Sequence, residues 1–366
     1  MYFAWLQLCR LALFARPHTV GPAVLSHAWE KARGMQMSAT TDRPIPWSDT
    51  ELVRSADRRP GVLLVGAGPA GRALADQLVA RGKDVHLAHH EAPDVAAAQR
   101  HTVPVVTHPG FLPALARLIR LQRVDLVIPV DRAELSVIAS GRMALGDHID
   151  VVAPRPGALA TSYDRYLTAW ALRSHGIEVP NFAVPSDFSD AAAARAAIGA
   201  RVVVRSRVAG GWTATALRES AEEWSRFDDD LFLQERIGGS AYKVMVYRPA
   251  DGKGRVSTVL KESTGASDQV VAHRLRGGPA VTALERVGQA AVRALGVTGP
   301  AEVSLRRRAD GTPVVLDLSV GFGRHTRLVP ELLASVLHEH RVRSGRSTPG
   351  GAEPRPSASS AMEASQ

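Results

Sequence analysis

A chain of 366 residues exceeds the roughly 250 to 300 over which single cores grow, so more than one packed unit is expected and a lone small domain is excluded. Charged residues make up 22% of the chain and apolar ones 45%, a balance that excludes a wholly disordered polymer. The formal charge of +9 rests mostly on dispersed arginines, with no dense basic run interleaved with aromatics, so capture of an anionic small molecule is read ahead of a nucleic-acid surface.

The opening stretch "MYFAWLQLCRLALFAR" is broken by Arg10 and too short to span a bilayer, and no membrane partner is expected. Met35 or Met37, just ahead of the polar "MSATTDRPIPW", reads as the true start, which makes residues 1–36 excess; a weak signal peptide is the alternative. Residues 1–59 are treated as an N-terminal extension. Cys9 is the only cysteine, which excludes an internal disulfide or a cysteine metal cluster and fits a reducing, cytoplasmic compartment.

"GVLLVGAGPAGRALADQLVARGKDVHLAHHE" predicts a buried strand, a glycine turn, a helix and a second strand. "VDLVIPV" and "IDVVAP" add strands separated by helical stretches, so residues 60–158 read as a small Rossmann-like parallel-sheet domain. Gly66, Gly68 and Gly71 have the spacing of a dinucleotide turn, which alone suggests a flavin or nicotinamide oxidoreductase. The second strand, however, ends in His89 and His90 where an acid should hold the ribose diol. Histidines 86, 89, 90 and 101 match no standard metal-ligand spacing.

From Asp164 the pattern changes to α+β, assigned to residues 159–340. A helix ends near His175-Gly176, "ARVVVRSRVAGGWTATAL" gives two strands about a glycine turn, and "LFLQERI", "YKVMVYR" and "RVSTVLKE" give more strands. A helix from about Thr282 to Leu295 precedes "AEVSLRR" and "TPVVLDLS". Residues 341–366 read as a disordered low-complexity tail.

The final strand places Asp317 between Leu316 and Leu318, an acid inside an apolar run. Folding the two last strands about Asp310-Gly311, a strong hairpin signal, sets Ser304 opposite Asp317 and Glu302 opposite Ser319. By strand alternation these four share one face, and Val303, Leu305, Leu316 and Leu318 take the other. Two carboxylates and two hydroxyls are hard oxygen donors suited to magnesium; the alternative is a solvent-facing polar patch.

The order of these features resembles the ATP-grasp superfamily, in particular carboxylate-amine ligases related to the carbamoyl-phosphate synthase large chain, over roughly residues 60 to 335. The motifs are "SYDRYLTAWALRSHGIEVP", "VVVRSRVAGGW", "LFLQERIGG", "ALGVTGPAEVSL" and "VVLDLSVGFGRH". The resemblance implies an α/β chain: a Rossmann-like pre-ATP-grasp domain followed by a two-lobed α+β ATP-grasp domain. It implies ATP and magnesium as cofactors, activation of a carboxylate as an acyl phosphate, attack by an amine, and a homodimer as an assembly such folds adopt. Arg165 and Arg205 would contact phosphate, Gly210 and Gly211 would lie in a mobile flap, and Gln234, Glu235 and Arg236 would meet adenine. Asp317, Ser304 and Ser319 stand where the family carries Glu, Gln and Asn as metal ligands, with Glu302 as a substitute ligand. Arg324, or Arg327, would reach the acyl phosphate in place of a basic residue where this chain has Gly321. Ala241 replaces the acid that holds the ribose. Gly66, Gly68 and Gly71 would help bind an acidic substrate at a helix N-terminus. The competing implication is a catalytically silent nucleotide or metabolite binder.

Overall fold

The computed structural model describes residues 60–91, 98–208, 215–252, 256–264 and 270–345. The expectations for residues 1–59, for Gly210 and Gly211, and for the tail beyond residue 345 lie outside the described residues. Apart from Thr107–Pro109, the described residues belong to one compact unit. None of its helices is long and apolar enough to cross a membrane.

The first part is a five-stranded parallel sheet. Strands β1 (Gly61–Val65), β2 (Val85–His89), β3 (Gln99–Thr102), β4 (Val124–Pro129) and β5 (Asp150–Val151) lie in the order β3-β2-β1-β4-β5. Every residue of β1 is buried, which explains its unbroken apolar run: helices cover both faces of a parallel sheet. Those helices are α1 (Pro69–Val79), α2 (Phe111–Leu121) and α3 (Arg132–Ser140). "IDVVAP" contributes only two residues of strand.

Two helices, α4 (Pro156–Tyr163) and α5 (Arg165–Ser174), lead to a four-stranded antiparallel sheet ordered β6-β9-β7-β8. It comprises β6 (Phe182–Ala183), β7 (Val202–Ser206), β8 (Thr215–Ala216) and β9 (Leu231–Glu235), with α6 (Ala191–Ile198) and α7 (Ala221–Trp224) between strands. A second antiparallel sheet follows, of β10 (Ala241–Arg248), β11 (Val256–Thr264), β12 (Val270–Arg274), β13 (Gly299–Arg307) and β14 (Pro313–Val320), ordered β12-β11-β10-β13-β14. Helix α8 (Pro279–Ala294) packs Leu284 and Val292 on Val244, Val303 and Leu318 of one face. The other face puts Met245 and Leu260 into the same core as Leu64 and Leu87 of the parallel sheet and Leu74 of α1, joined there by Leu333 and Val336 of α9 (Pro330–Arg343). Alternate residues of β10 thus enter different cores, which explains why "VMV" is apolar throughout. Helix α9 was not read from the sequence; it runs through Arg343, so the first residues assigned to the tail are helical.

The last hairpin reaches the expected pairing by an unexpected route. Ser304 faces Asp317 and Glu302 faces Ser319. The loop, however, spans three residues: Arg308 N–H donates to the Thr312 carbonyl (2.9 Å) and Gly311 sits at φ +86°. A β-bulge then restores the offset, since Leu305 pairs with Val315 while Ser304 pairs with Asp317. Leu316 is the extra residue. The core face of β14 is therefore Val315 and Leu318, both buried, and not Leu316, which is half-exposed.

Helix α9 is clamped to the parallel sheet by His340, whose Nδ1 lies 3.2 Å from Asp150 and Nε2 3.3 Å from Asp125. Burial lowers the imidazole pKa, but the hydrogen bonds and charges of Asp125 and Asp150 outweigh it and raise the value to about 9. A pKa raised on folding stabilises fully below the unfolded value near 6.5 and loses that contribution as pH rises through about 9. Melting temperature is therefore expected to fall between pH 6.5 and 9.5, by an amount equivalent to on the order of 2 kcal/mol, and His340→Gln should flatten that slope. An equal slope in the variant would remove His340 as the cause.

Candidate functional site

The centre of the site is Asp317, which the bulge sets on the polar face of β14. Its Oδ2 accepts from Arg165 Nε (3.2 Å) and Arg205 Nη2 (3.0 Å), and its Oδ1 accepts from the Leu318 N–H (2.9 Å). The three side chains are only 13%, 19% and 15% exposed, so bulk water screens these pairs weakly. The acid inside an apolar strand thus terminates two guanidiniums brought from distant elements.

Local sequence positions both cations. Asp164 caps α5 by accepting from the N–H groups of Tyr166 (2.9 Å) and Leu167 (3.1 Å), and both its oxygens also accept from Arg207 Nε. Arg165 N–H donates to the Arg207 carbonyl (2.9 Å), and its guanidinium reaches the Ser206 carbonyl, so the start of α5 is stitched to the end of β7. Arg205 is held by Gln234, which accepts from Arg205 Nη1 (3.2 Å) and donates to the Leu316 carbonyl (3.1 Å). The bulged residue thus supplies the acceptor that orients this strut.

A third guanidinium converges from the parallel-sheet domain. Arg132, the first residue of α3, stacks 4.1 Å over the Tyr163 ring, and its charge interacts with Asp317 and Arg165. Its Nη1 is buried and has no hydrogen-bond partner among the described residues. Burial lowers the pKa of both Arg132 and Arg205, against the opposing effect of Asp317. Three cations around one carboxylate leave two positive charges uncompensated, which is an anion-binding arrangement.

Beside this triad runs a second network on the same sheet face. Glu302, buried on β13, takes Lys243 Nζ at 2.9 Å on Oε1 and His325 Nδ1 at 3.3 Å on Oε2. Lys243 Nζ also donates to Ser304 Oγ (2.8 Å). His325 Nε2 continues to Glu262 (3.4 Å), which pairs with Arg324 Nη2 (2.6 Å). Burial alone would raise the Glu302 pKa; the His325 hydrogen bond and the Lys243 charge reverse that and hold it at about 2. Gly323 lets the loop lie over this acid, because a Cβ there would stand 2.7 Å from Glu302 Oε2.

The phosphate expectation for Arg165 and Arg205 meets a matching geometry: they converge and keep excess charge. The side chains of Gln234 and Glu235, expected near adenine, have partners within the chain. Gln234 is spent on Arg205 and Leu316, and Glu235 on Arg308 (2.8 and 3.1 Å) and the Asn181 N–H (3.1 Å). Arg236 is exposed, with its N–H on the Arg201 carbonyl. Arg327 turns away to Asp76 on α1 (2.9 Å).

Asp131 Oδ2 accepts from Ala67 N–H (3.1 Å), and a Cβ on Gly66 or Gly68 would lie 2.5 or 2.8 Å from the Asp131 carboxylate. Gly71 passes so close to Gly66 that its Cβ would meet that carbonyl at 2.7 Å. The chain's own acid lies in the turn, and Gly66, Gly68 and Gly71 are needed there for close packing. His89, Asp131 and Glu134 also gather here, their ligand atoms within 4.8 Å of one another.

The donor set fits a polyphosphate and does not fit magnesium. An orphaned buried guanidinium nitrogen and two excess charges suit phosphate oxygens. On the expected metal side, Asp317 is taken by two arginines, Glu302 by Lys243 and His325, and Ser304 by Lys243. At an effective dielectric near 20, unit charges ~4 Å apart interact by about 4 kcal/mol, so the Lys243 ammonium would repel a divalent ion by about twice that. Arg132, Lys243, Glu262 and His325 were not identified from the sequence. Lys243 stands out in sequence only as a lysine just before the apolar run of β10.

No protein-family model matches the chain, and the comparison with curated proteins found no match. Solved structures are similar. An L-amino acid ligase from Bacillus licheniformis is 15% identical, with 74% of this chain and 69% of that one covered at a TM-score of 0.59. N5-carboxyaminoimidazole synthetase from Staphylococcus aureus is 12% identical, with 77% of each chain covered at 0.60. Biotin carboxylase from Campylobacter jejuni, in a complex with a β-γ-ATP ligand, is 14% identical, with 80% of this chain and 72% of that one covered at 0.56.

Proposed function

From the ATP-grasp fold that this chain shares with those enzymes, we propose that it binds ATP at the arginine triad and uses it to join a carboxylate to an amine. The observation that carries this reading is that Arg165 and Arg205 pair with the single carboxylate of Asp317 while the charge of Arg132 also interacts with it, and Arg132 Nη1 is buried without a partner among the described residues. Arg165 and Arg205 exchange Asp317 for phosphate oxygens, and Arg132 adds a third fork of donors. Asp317 sets the resting positions of the two arginines. In this reading Arg324, paired at rest with Glu262, is the cation that meets the acyl phosphate.

In this reaction the terminal phosphoryl group of ATP passes to the carboxylate oxygen with release of ADP, and the amine then attacks the acyl carbon and displaces inorganic phosphate. No side chain becomes covalently attached, so positioning and charge neutralisation are what the residues contribute. A small carboxylate and a small amine are the proposed partners, in a cytoplasmic setting.

A second reading, nucleotide binding without turnover, is favoured by one feature: Ser304 and Ser319 stand at expected ligand positions and an ammonium lies among them. One experiment separates the two. Thermal shift with ATP, followed by phosphate release against a panel of amino acids, is expected to show stabilisation and amine-dependent release. Stabilisation without release establishes the silent binder, and neither response ends both readings.

A further inference from the structure

Lys243 Nζ sits between two oxygens of the patch that sequence assigns to a divalent ion, 2.9 Å from Glu302 Oε1 and 2.8 Å from Ser304 Oγ. The cross-strand row Lys243, Ser304, Asp317 runs through β10, β13 and β14, so the ammonium shares the sheet face on which Asp317 meets its arginines. Side chains on this row and beside it are shielded, with Lys243 16%, Asp317 15% and the neighbouring Glu302 10% exposed. The cation is also well anchored: Glu302 is fixed from its other oxygen by His325, and the loop over it is held close by Gly323. An ammonium offers three donors in a compact charge, which suits it to bridge a carboxylate and a hydroxyl.

We propose that Lys243 is a resident cation that holds the place of a divalent ion in the Glu302–Ser304–Asp317 patch, so that the phosphate site works with little or no bound metal. The nucleotide half of this statement rests on the reading proposed above; the exclusion of metal by Lys243 does not. Serines at positions 304 and 319 are consistent with it, since a hydroxyl satisfies an ammonium while a third carboxylate there would leave an excess of negative charge.

Two measurements test it. In the first, Mn2+ is titrated without nucleotide into the full chain and into Lys243→Met. The parent chain is expected to show no binding at millimolar metal, and the variant to bind at least tenfold more tightly. Equal binding by both proteins overturns the proposal. In the second, ADP affinity is measured in EDTA and in excess Mg2+. The parent chain should change less than threefold, while Lys243→Met should lose tenfold or more in EDTA and recover with metal. A parent chain that itself needs Mg2+ for tenfold or more of its affinity overturns the proposal too. Should Lys243→Met melt early, Lys243→Gln, whose amide can still donate to Glu302 and Ser304, replaces it in both arms. If neither protein binds ADP in either condition, the nucleotide reading falls, and the manganese arm still decides the role of Lys243.

Discussion

Arg205→Ala is expected to weaken ATP binding by about 10- to 150-fold. Hydrogen bonds to charged groups are each worth roughly 1.5 to 3 kcal/mol, and every 1.4 kcal/mol is tenfold in affinity. Arg205 is the right residue to remove because its guanidinium is oriented before any ligand arrives, by Gln234 on one nitrogen and Asp317 on another. Arg205→Lys keeps the charge but loses the planar fork, so it should fall between the two. The measurement is ATP titration by calorimetry, with melting curves to establish that each variant is folded. Parent-like affinity in Arg205→Ala would remove β7 from the nucleotide site.

Asp317→Ala acts in the opposite direction on anions. Without the carboxylate, Arg165 and Arg205 confront each other and Arg132 in a weakly screened pocket. Breaking a shielded pair of this kind costs about 2 to 4 kcal/mol, less than for a fully buried one because the three side chains retain some water contact. The melting temperature should drop by roughly 4 to 12 °C. Inorganic phosphate or ATP then takes the place of the missing carboxylate, so added anion should raise the melting temperature of Asp317→Ala more than that of the parent chain. The fold-neutral loss of turnover expected from a simple metal ligand is not what this geometry supports. A variant with parent stability and parent response to phosphate would show that Asp317 does not govern the arginines.

The two cases differ in how far sequence carries them. Arg165 and Arg205 were legible because each lies inside a local signal: one follows the Asp that caps a helix, the other closes a run of valines before a glycine loop. The pairing of Ser304 with Asp317 was legible because a hairpin is a local object. Even so, it came out correctly through two deviations that cancel, a longer loop and a bulge. The bulge could not be read: the carbonyl of its extra residue, Leu316, accepts from Gln234, 82 positions away, which no local pattern shows.

Lys243 and Arg132 were beyond reach for the same reason. Strand β10 and strand β13 are neighbours only after β11, β12 and α8 have been laid between them in the chain, and the charge of Arg132 acts on Asp317 from a distant part of the chain. Asp131 shows the reverse error. The glycine spacing at Gly66 to Gly71 is faithful to a ligand turn, but which anion occupies the turn depends on β4 ending beside it.

Periodicity, turn chemistry and caps, all carried by interactions within about ten residues, were enough for most of the strands and for the polar side of the last hairpin, whereas Arg165 and Arg205 came from the resemblance of their motifs to a known family. Whether that polar side meets a metal or the chain's own cations was decided only by the sheet order and the shared core. Charge compensation depends on distance in space: Lys243 lies 61 residues from Ser304 in the chain, and Arg205 and Arg165 lie 112 and 152 residues from Asp317.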